Sequence, residues 1–143
     1  MLSSVSKLAI KSVIFICIKG DEANPLGVEE ICEHIKTPKP YTSKILQSLV
    51  KKGLLYSKKG KGGGFYLNES QCNNTLLPIV VALEGDGAFQ GCGLGLDYCS
   101  AKNPCPAHDY FLKVRATYTE FLTAKTIARL AKEVESGQDY IVR

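Results

Sequence analysis

The chain has 143 residues, 45% of them hydrophobic and 22% charged, with six cysteines and a formal charge of +4. That length suits one domain, or one domain with an appendage, and suffices for a core without covalent staples. The longest apolar run, Val13 to Ile18, is far short of the roughly twenty residues a membrane span needs, and Lys11 and Lys19 interrupt and close the apolar N-terminal stretch, so neither a span nor a signal peptide is expected. The expected compartment is the reducing cytoplasm. There, six cysteines point to metal or redox chemistry, whereas a disulfide framework would require an oxidising compartment. Charge is unevenly spread: residues 1–70 carry eleven Lys and six acids, residues 71–143 seven basic residues and eight acids, and Lys36 to Lys61 holds eight lysines with no acid. So one-sided a segment usually faces a polyanion, since a merely solvated face mixes its charges.

In chain order, residues 3–19 read as a first helix, with Val5, Leu8, Ala9, Ser12, Val13, Ile16 and Cys17 spaced at three and four and Ile10, Ile14 and Ile18 adding a second stripe. Most of that helix should be buried, with Cys17 in the core. A loop over 20–27 precedes a short second helix whose stripe is Val28, Ile31, Cys32 and Ile35, with Glu29, Glu30 and Glu33 outside and His34 solvated. Pro38 and Pro40 make the next five residues a turn. A third helix, Tyr41 to Lys52, carries Ile45, Leu46, Leu49 and Val50 inward and Thr42, Ser43, Lys44, Gln47, Ser48 and Lys51 outward, and Gly53 caps it. Two short helices about a tight turn, the second basic and amide-bearing outside, form a helix-turn-helix.

Two strand-like runs, Leu54 to Lys58 and Phe65 to Asn68, flank Lys59-Gly60-Lys61-Gly62-Gly63-Gly64. This reads as a basic hairpin, a wing, and not as a phosphate-binding loop, because no Gly-Lys-Ser/Thr opens a helix here. An apolar fourth helix over 75–84 closes the core, and five glycines from Gly85 to Gly95 lead into the next segment. From Asp109 to about Glu135 the spacing predicts one long helix, with Phe111, Val114, Tyr118, Phe121, Leu122, Ile127, Leu130 and Val134 on its apolar side. A second subunit would cover that side in a symmetric dimer; an intramolecular core helix is the alternative. The fold class is therefore mainly α with a small β wing. Its expected organisation is a winged helix-turn-helix over 1–84, a Cys-rich loop over 85–108, and a dimerisation helix with tail over 109–143.

Within the loop, Cys92, Cys99, Cys105 and His108 form a candidate ligand set. Thiolates with an imidazole suit zinc or an iron-sulfur cluster and do not suit calcium or magnesium. Zinc fingers usually pair cysteines two to four residues apart, whereas gaps of six and five separate these three. Pro106 is a good first helical residue, which would put Cys105 and His108 on one helical face, within reach of the same metal.

The order of these elements resembles the winged-helix iron-sulfur transcription regulators of the IscR/NsrR family. The resemblance rests on Leu49 with Lys52-Gly53-Leu54 leading into Gly60 and Gly62-Gly63-Gly64-Phe65-Tyr66-Leu67, on Ile79 with Leu83-Glu84-Gly85, and on Cys92, Cys99 and Cys105. It implies a homodimeric regulator, joined through the C-terminal helix, that binds double-stranded operator DNA and is not an enzyme. The Cys105-Pro-Ala-His108 end looks like the IscR arrangement, in which three Cys and one His hold a [2Fe-2S] cluster. Lys7 stands near the position where the NsrR pattern brings a carboxylate from the partner's first helix, and an ammonium cannot ligate.

On the DNA face, Lys39, Lys44, Lys51, Lys58, Lys59 and Lys61 are the expected phosphate contacts. Gln47, Thr42, Ser43 and Tyr41 are the expected base contacts, with no Arg among them to read guanine. Two competitors stand beside this reading. One is a cluster-free regulator that senses through thiol oxidation, zinc or a small ligand. The other is an electron-transfer or thiol enzyme, against which the lysine face and wing speak.

Overall fold

The computed structural model describes residues 2–143; Met1, where the expected DNA-binding unit starts, lies outside the described residues. Helix α1 (Ser4–Lys19) is the core's centre: Ala9, Val13 and Ile16 are fully buried, and α2, α3, α5, α8 and β2 all pack on it. Ser3 caps it by accepting the Ser6 N–H at 3.1 Å, which supplies a partner to one of the four unpaired donors of the first turn. Helices α2 (Val28–Ile35) and α3 (Lys39–Lys51) follow as expected, hinged at Lys36, whose φ of 60° closes α2 in the left-handed region. The prolines do not delay α3. Pro38 is its N-cap and Pro40 sits in its first turn, where no backbone N–H is needed. His34 is half-buried, not solvated, because its ring stacks on Phe15 with centroids 3.9 Å apart.

Strands β1 (Tyr56–Lys58) and β2 (Gly64–Tyr66) pair antiparallel in the register Tyr56↔Tyr66, Ser57↔Phe65 and Lys58↔Gly64. Leu26 adds a further bridge that the pattern did not announce, exchanging two backbone hydrogen bonds of 2.8 Å with Phe65. Both side chains are buried, so this bridge pins the wing to the core. Glycine is required here: a Cβ on Gly63 would lie 2.1 Å from the Lys58 carbonyl oxygen, and one on Gly64 2.4 Å from that of Leu26.

Helix α4 (Glu69–Cys72) is a short turn opened by a capping box between Asn68 and Gln71. Gln71 also donates to the Gly53 carbonyl at 2.9 Å, tying α4 to the segment just after α3. Helix α5 (Leu77–Glu84) closes the core with Ile79 and Val80. At its end Glu84 accepts hydrogen bonds from the Ser3 N–H at 3.0 Å, from the Ser3 hydroxyl at 2.7 Å and from Ser6 Oγ. Burial alone would raise the Glu84 carboxyl, but the bonds from Ser6 and Ser3 outweigh it and hold the group below its ordinary value. A short helix α6 (Gly87–Gln90) then precedes the cysteine loop.

The single long C-terminal helix is not observed. The chain forms α7 (His108–Thr123) and α8 (Ile127–Glu135), broken by a turn in which Thr126 caps α8 by accepting the Arg129 N–H at 3.2 Å. Backbone bonds from Leu76 to the Leu122 carbonyl (3.0 Å) and from Ile127 to that of Asn74 (2.8 Å) hold the break against the segment before α5. Thus Ile127 and Ala131 are buried and α8 packs on α1 in the same subunit, while Leu112, Val114 and Phe121 of α7 remain exposed. No helix among the described residues is long and apolar enough to cross a membrane.

Candidate functional site

The loop from Gly91 to Ala107 has no regular structure, and α7 fixes both of its ends. At the start, Arg115 Nη2 donates to the Gly91 carbonyl at 2.5 Å while its guanidinium lies 5.2 Å over the Phe111 ring. Gly93 is pressed on the same ring: a Cβ there would come within 2.5 Å of it. At the other end the His108 N–H donates to the Cys105 carbonyl at 3.0 Å, and α7 begins at His108, with Pro106 in the preceding turn and not in the helix.

The four candidate ligands stand as two pairs. Cys92 Sγ is 3.7 Å from Cys105 Sγ, and Cys99 Sγ is 3.5 Å from His108 Nδ1. Cys105 precedes α7 and does not share a helical face with His108, and the imidazole lies against Cys99. Both distances suit tetrahedral ligation. With metal–sulfur bonds of about 2.3 Å and metal–nitrogen bonds of about 2.0–2.1 Å, two thiolates on one metal stand roughly 3.7–3.8 Å apart and a thiolate and imidazole roughly 3.5 Å. Among the described residues no three His, Cys, Asp or Glu side chains converge as a single ion would demand.

Electrostatics ease deprotonation at one of the four. The backbone N–H groups of Leu94 and Leu96 point at the Cys92 sulfur and, with smaller help from Cys105 and Gly95, pull its thiol below the ordinary value against the effect of burial. A metal ligand must be deprotonated, so this cradle fits the role. His108 is buried and the three cysteines are half-buried.

The second cluster of candidate residues is the face made by α3 and the wing. Ser43, Gln47, Ser57, Lys58, Lys59 and Phe65 line a concavity of about 320 Å³ between them, with Glu29 at its edge. Tyr41, Lys44, Gln47, Lys51, Lys58, Lys59 and Lys61 are exposed and Ser43 is half-buried. Thr42 does not belong with them. It is fully buried, its hydroxyl 2.8 Å from that of Thr37 and donating to the Pro38 carbonyl at 3.0 Å, so it braces the turn and cannot reach a base. Lys39 is ion-paired with Glu29, and Lys58 Nζ lies 3.5 Å from the Glu22 carbonyl. The Lys39 ammonium holds the Glu29 carboxyl below its ordinary value.

Two contributors escaped the sequence reading. Glu29, expected on the outer side of α2, lines the groove. Arg115 was passed over, although its place four residues after Phe111 puts both on one helical face. On α7, Lys113, Val114, Thr117, Tyr118 and Phe121 frame a shallow, mostly apolar groove.

A family model, Rrf2, described as an iron-dependent transcriptional regulator, matches residues 2–133. Over 132 residues the chain is 28% identical to an Aquifex aeolicus protein described as an HTH-type transcriptional regulator, covering 91% of this chain and 90% of that one. IscR of T. potens superposes with a TM-score of 0.75 at 21% identity, over 98% of this chain and 92% of that one. CymR, the global cysteine regulator of B. subtilis, superposes with a TM-score of 0.73 at 20% identity, over 92% and 96%. The two structural likenesses establish the fold as that of winged-helix regulators. The match along nearly the whole chain makes the protein a member of the Rrf2 family of iron-dependent transcriptional regulators.

Proposed function

We propose that the protein is a homodimeric regulator of transcription whose grip on operator DNA is set by a [2Fe-2S] cluster in the loop. The observation that carries this reading is the pairing of donors, Cys92 with Cys105 at 3.7 Å and Cys99 with His108 at 3.5 Å. When bound, the cluster supplies a redox- and iron-sensitive crosslink between the two pairs. The protein's own residues do the rest. Arg115 and Phe111 hold the loop on α7, so a change in how the four side chains are spaced is felt by that helix. The exposed Leu112, Val114 and Phe121 of α7 meet the same face of a second copy. Repositioning α7 then resets the separation of the two recognition helices, which must match half-sites about 34 Å apart.

At the DNA, α3 enters the major groove with Gln47, Ser43 and Tyr41 toward base edges, and Lys44, Lys51, Lys58, Lys59 and Lys61 lie along phosphates. Lys39 must first exchange Glu29 for a phosphate.

The test is the visible spectrum of protein purified without oxygen, with iron and sulfide counted per chain. Charge-transfer bands with about two irons and two sulfides per chain support the cluster. A colourless protein that resists reconstitution would overturn it. The lowered thiol of Cys92, 3.7 Å from Cys105, favours as second reading a cluster-free regulator in which these two form a thiol switch.

A further inference from the structure

Outside the loop, two more cysteines have been brought together from distant parts of the chain. Cys17 lies near the end of α1 and Cys72 at the end of α4, 55 positions apart in sequence, and their sulfurs stand 3.2 Å apart. Two thiols in ordinary contact sit farther apart than this, while a disulfide bond measures about 2.05 Å. Closing the remaining gap needs a movement of roughly 1 Å. Both residues are half-buried against the core, so the pair is neither sealed from a small oxidant nor held loosely at the surface.

We propose that Cys17 and Cys72 form a second redox site, a reversible disulfide that staples the DNA-reading half of the molecule when a low-molecular-weight disulfide is in excess. The ring closed between the two sulfurs contains α2, α3, β1 and β2 in full, that is, the helix-turn-helix and the wing. Its anchor is already coupled to the recognition helix, because Gln71, next to Cys72, donates to the Gly53 carbonyl just beyond α3. The site is independent of whatever the cysteine loop holds.

The chemistry balances in two exchanges. Cys72 loses its proton to water, and the thiolate attacks one sulfur of the small disulfide, breaks its S–S bond and expels one small thiolate, which takes up a proton. Cys17 loses its proton to water, attacks the Cys72 sulfur of the mixed disulfide and expels the second small thiolate. The two protein thiols are oxidised and one small disulfide becomes two thiols. Cys17 is the resolving partner. Burial, then the hydrogen bond and charge of Cys72, then the charge of Glu135 push its thiol up to about 12, and capping Cys72 relieves the second of these causes.

The experiment uses the full chain, incubated anaerobically with excess oxidised or reduced glutathione, alkylated, and digested with trypsin and a Glu-specific protease without reduction. The expected product is residues 12–19 joined to residues 70–84. The oxidised protein should melt about 5–10 °C above the reduced one, and dithiothreitol should reverse both changes. Cys72→Ala and Cys17→Ala, tested separately in case one folds poorly, should each abolish the link and the shift. A Cys92→Ser, Cys105→Ser variant should keep both. Oxidation that joins only loop cysteines, leaving Cys17 and Cys72 alkylated, would overturn the proposal, as would a 17–72 link with no gain in melting temperature.

Discussion

Thr42 is spent on Pro38 and Thr37, so the proposed base contacts reduce to Gln47, Ser43 and Tyr41. Replacing Gln47 by Ala should cost roughly 1–3 kcal/mol at one base pair, whereas Lys59→Ala should weaken specific and random DNA alike and lower the salt slope by about one. Competition binding over a salt series checks both, and an equal loss on both DNAs from Gln47→Ala would remove it from the reading set. Thr42→Val should lower stability by about 1 kcal/mol through lost hydrogen bonds and leave sequence preference unchanged, as thermal melting and the same competition assay would show. The misplacement of Thr42 has a physical origin. Positions 42, 45, 46 and 49 follow the i, i+3, i+4, i+7 spacing of the buried stripe, and the hydroxyl drew the residue outward against that period. That Cys92, Cys99, Cys105 and His108 gather in one loop was legible from residue type and spacing. Their pairing was not, because it depends on a turn at Pro106 that ends one residue before the helix, and a helix starting at Pro106 would have aimed His108 differently.

Capping as well as periodicity sets where the C-terminal helices end. The apolar stripe of α7 ends at Leu122 and resumes at Ile127, a step of five that falls out of helical phase, and Thr126 stands where a cap belongs. Both signs were present in the sequence, but the continuous run of helix-formers hid them. Thr126→Ala should cost about 1 kcal/mol of stability, readable as a lowered denaturation midpoint. Glu133, buried on α8, accepts from Lys125 at 2.6 Å and from Arg129 at 2.8 Å, and these bonds hold its carboxyl below the ordinary 4.5. A carboxyl lowered in the folded state stabilises above its unfolded value and loses that contribution as pH falls through the folded one. Melting temperature should therefore drop on acidification below about pH 4.5 in the wild type, and the drop should be smaller in Glu133→Gln. The Asn68 to Gln71 capping box was equally readable, and it encloses only one turn of helix.

Across the whole molecule, the winged helix-turn-helix was written in periodicity and turn chemistry, since α1, α2, α3, the wing and α5 bury the residues their spacing selects. What the spacing could not show is that α8 returns to α1, which leaves α7 alone to present an apolar face. If that face joins two copies, Val114→Glu combined with Phe121→Glu should give a monomer by light scattering with its melting behaviour largely kept, and operator affinity should fall because two half-sites are no longer held together. A double variant that remains dimeric would place the interface elsewhere.

On the proposed function, iron in the loop changes how a dimer reads DNA. The most direct measurement is fluorescence anisotropy with operator DNA selected from random sequence, at fixed salt, comparing anaerobically loaded protein, the same protein stripped of iron, and His108→Ala. Loaded and stripped wild type should differ in affinity at least about tenfold, or about 1.4 kcal/mol, and His108→Ala should behave as stripped in both preparations. Equal affinity for all three would contradict it.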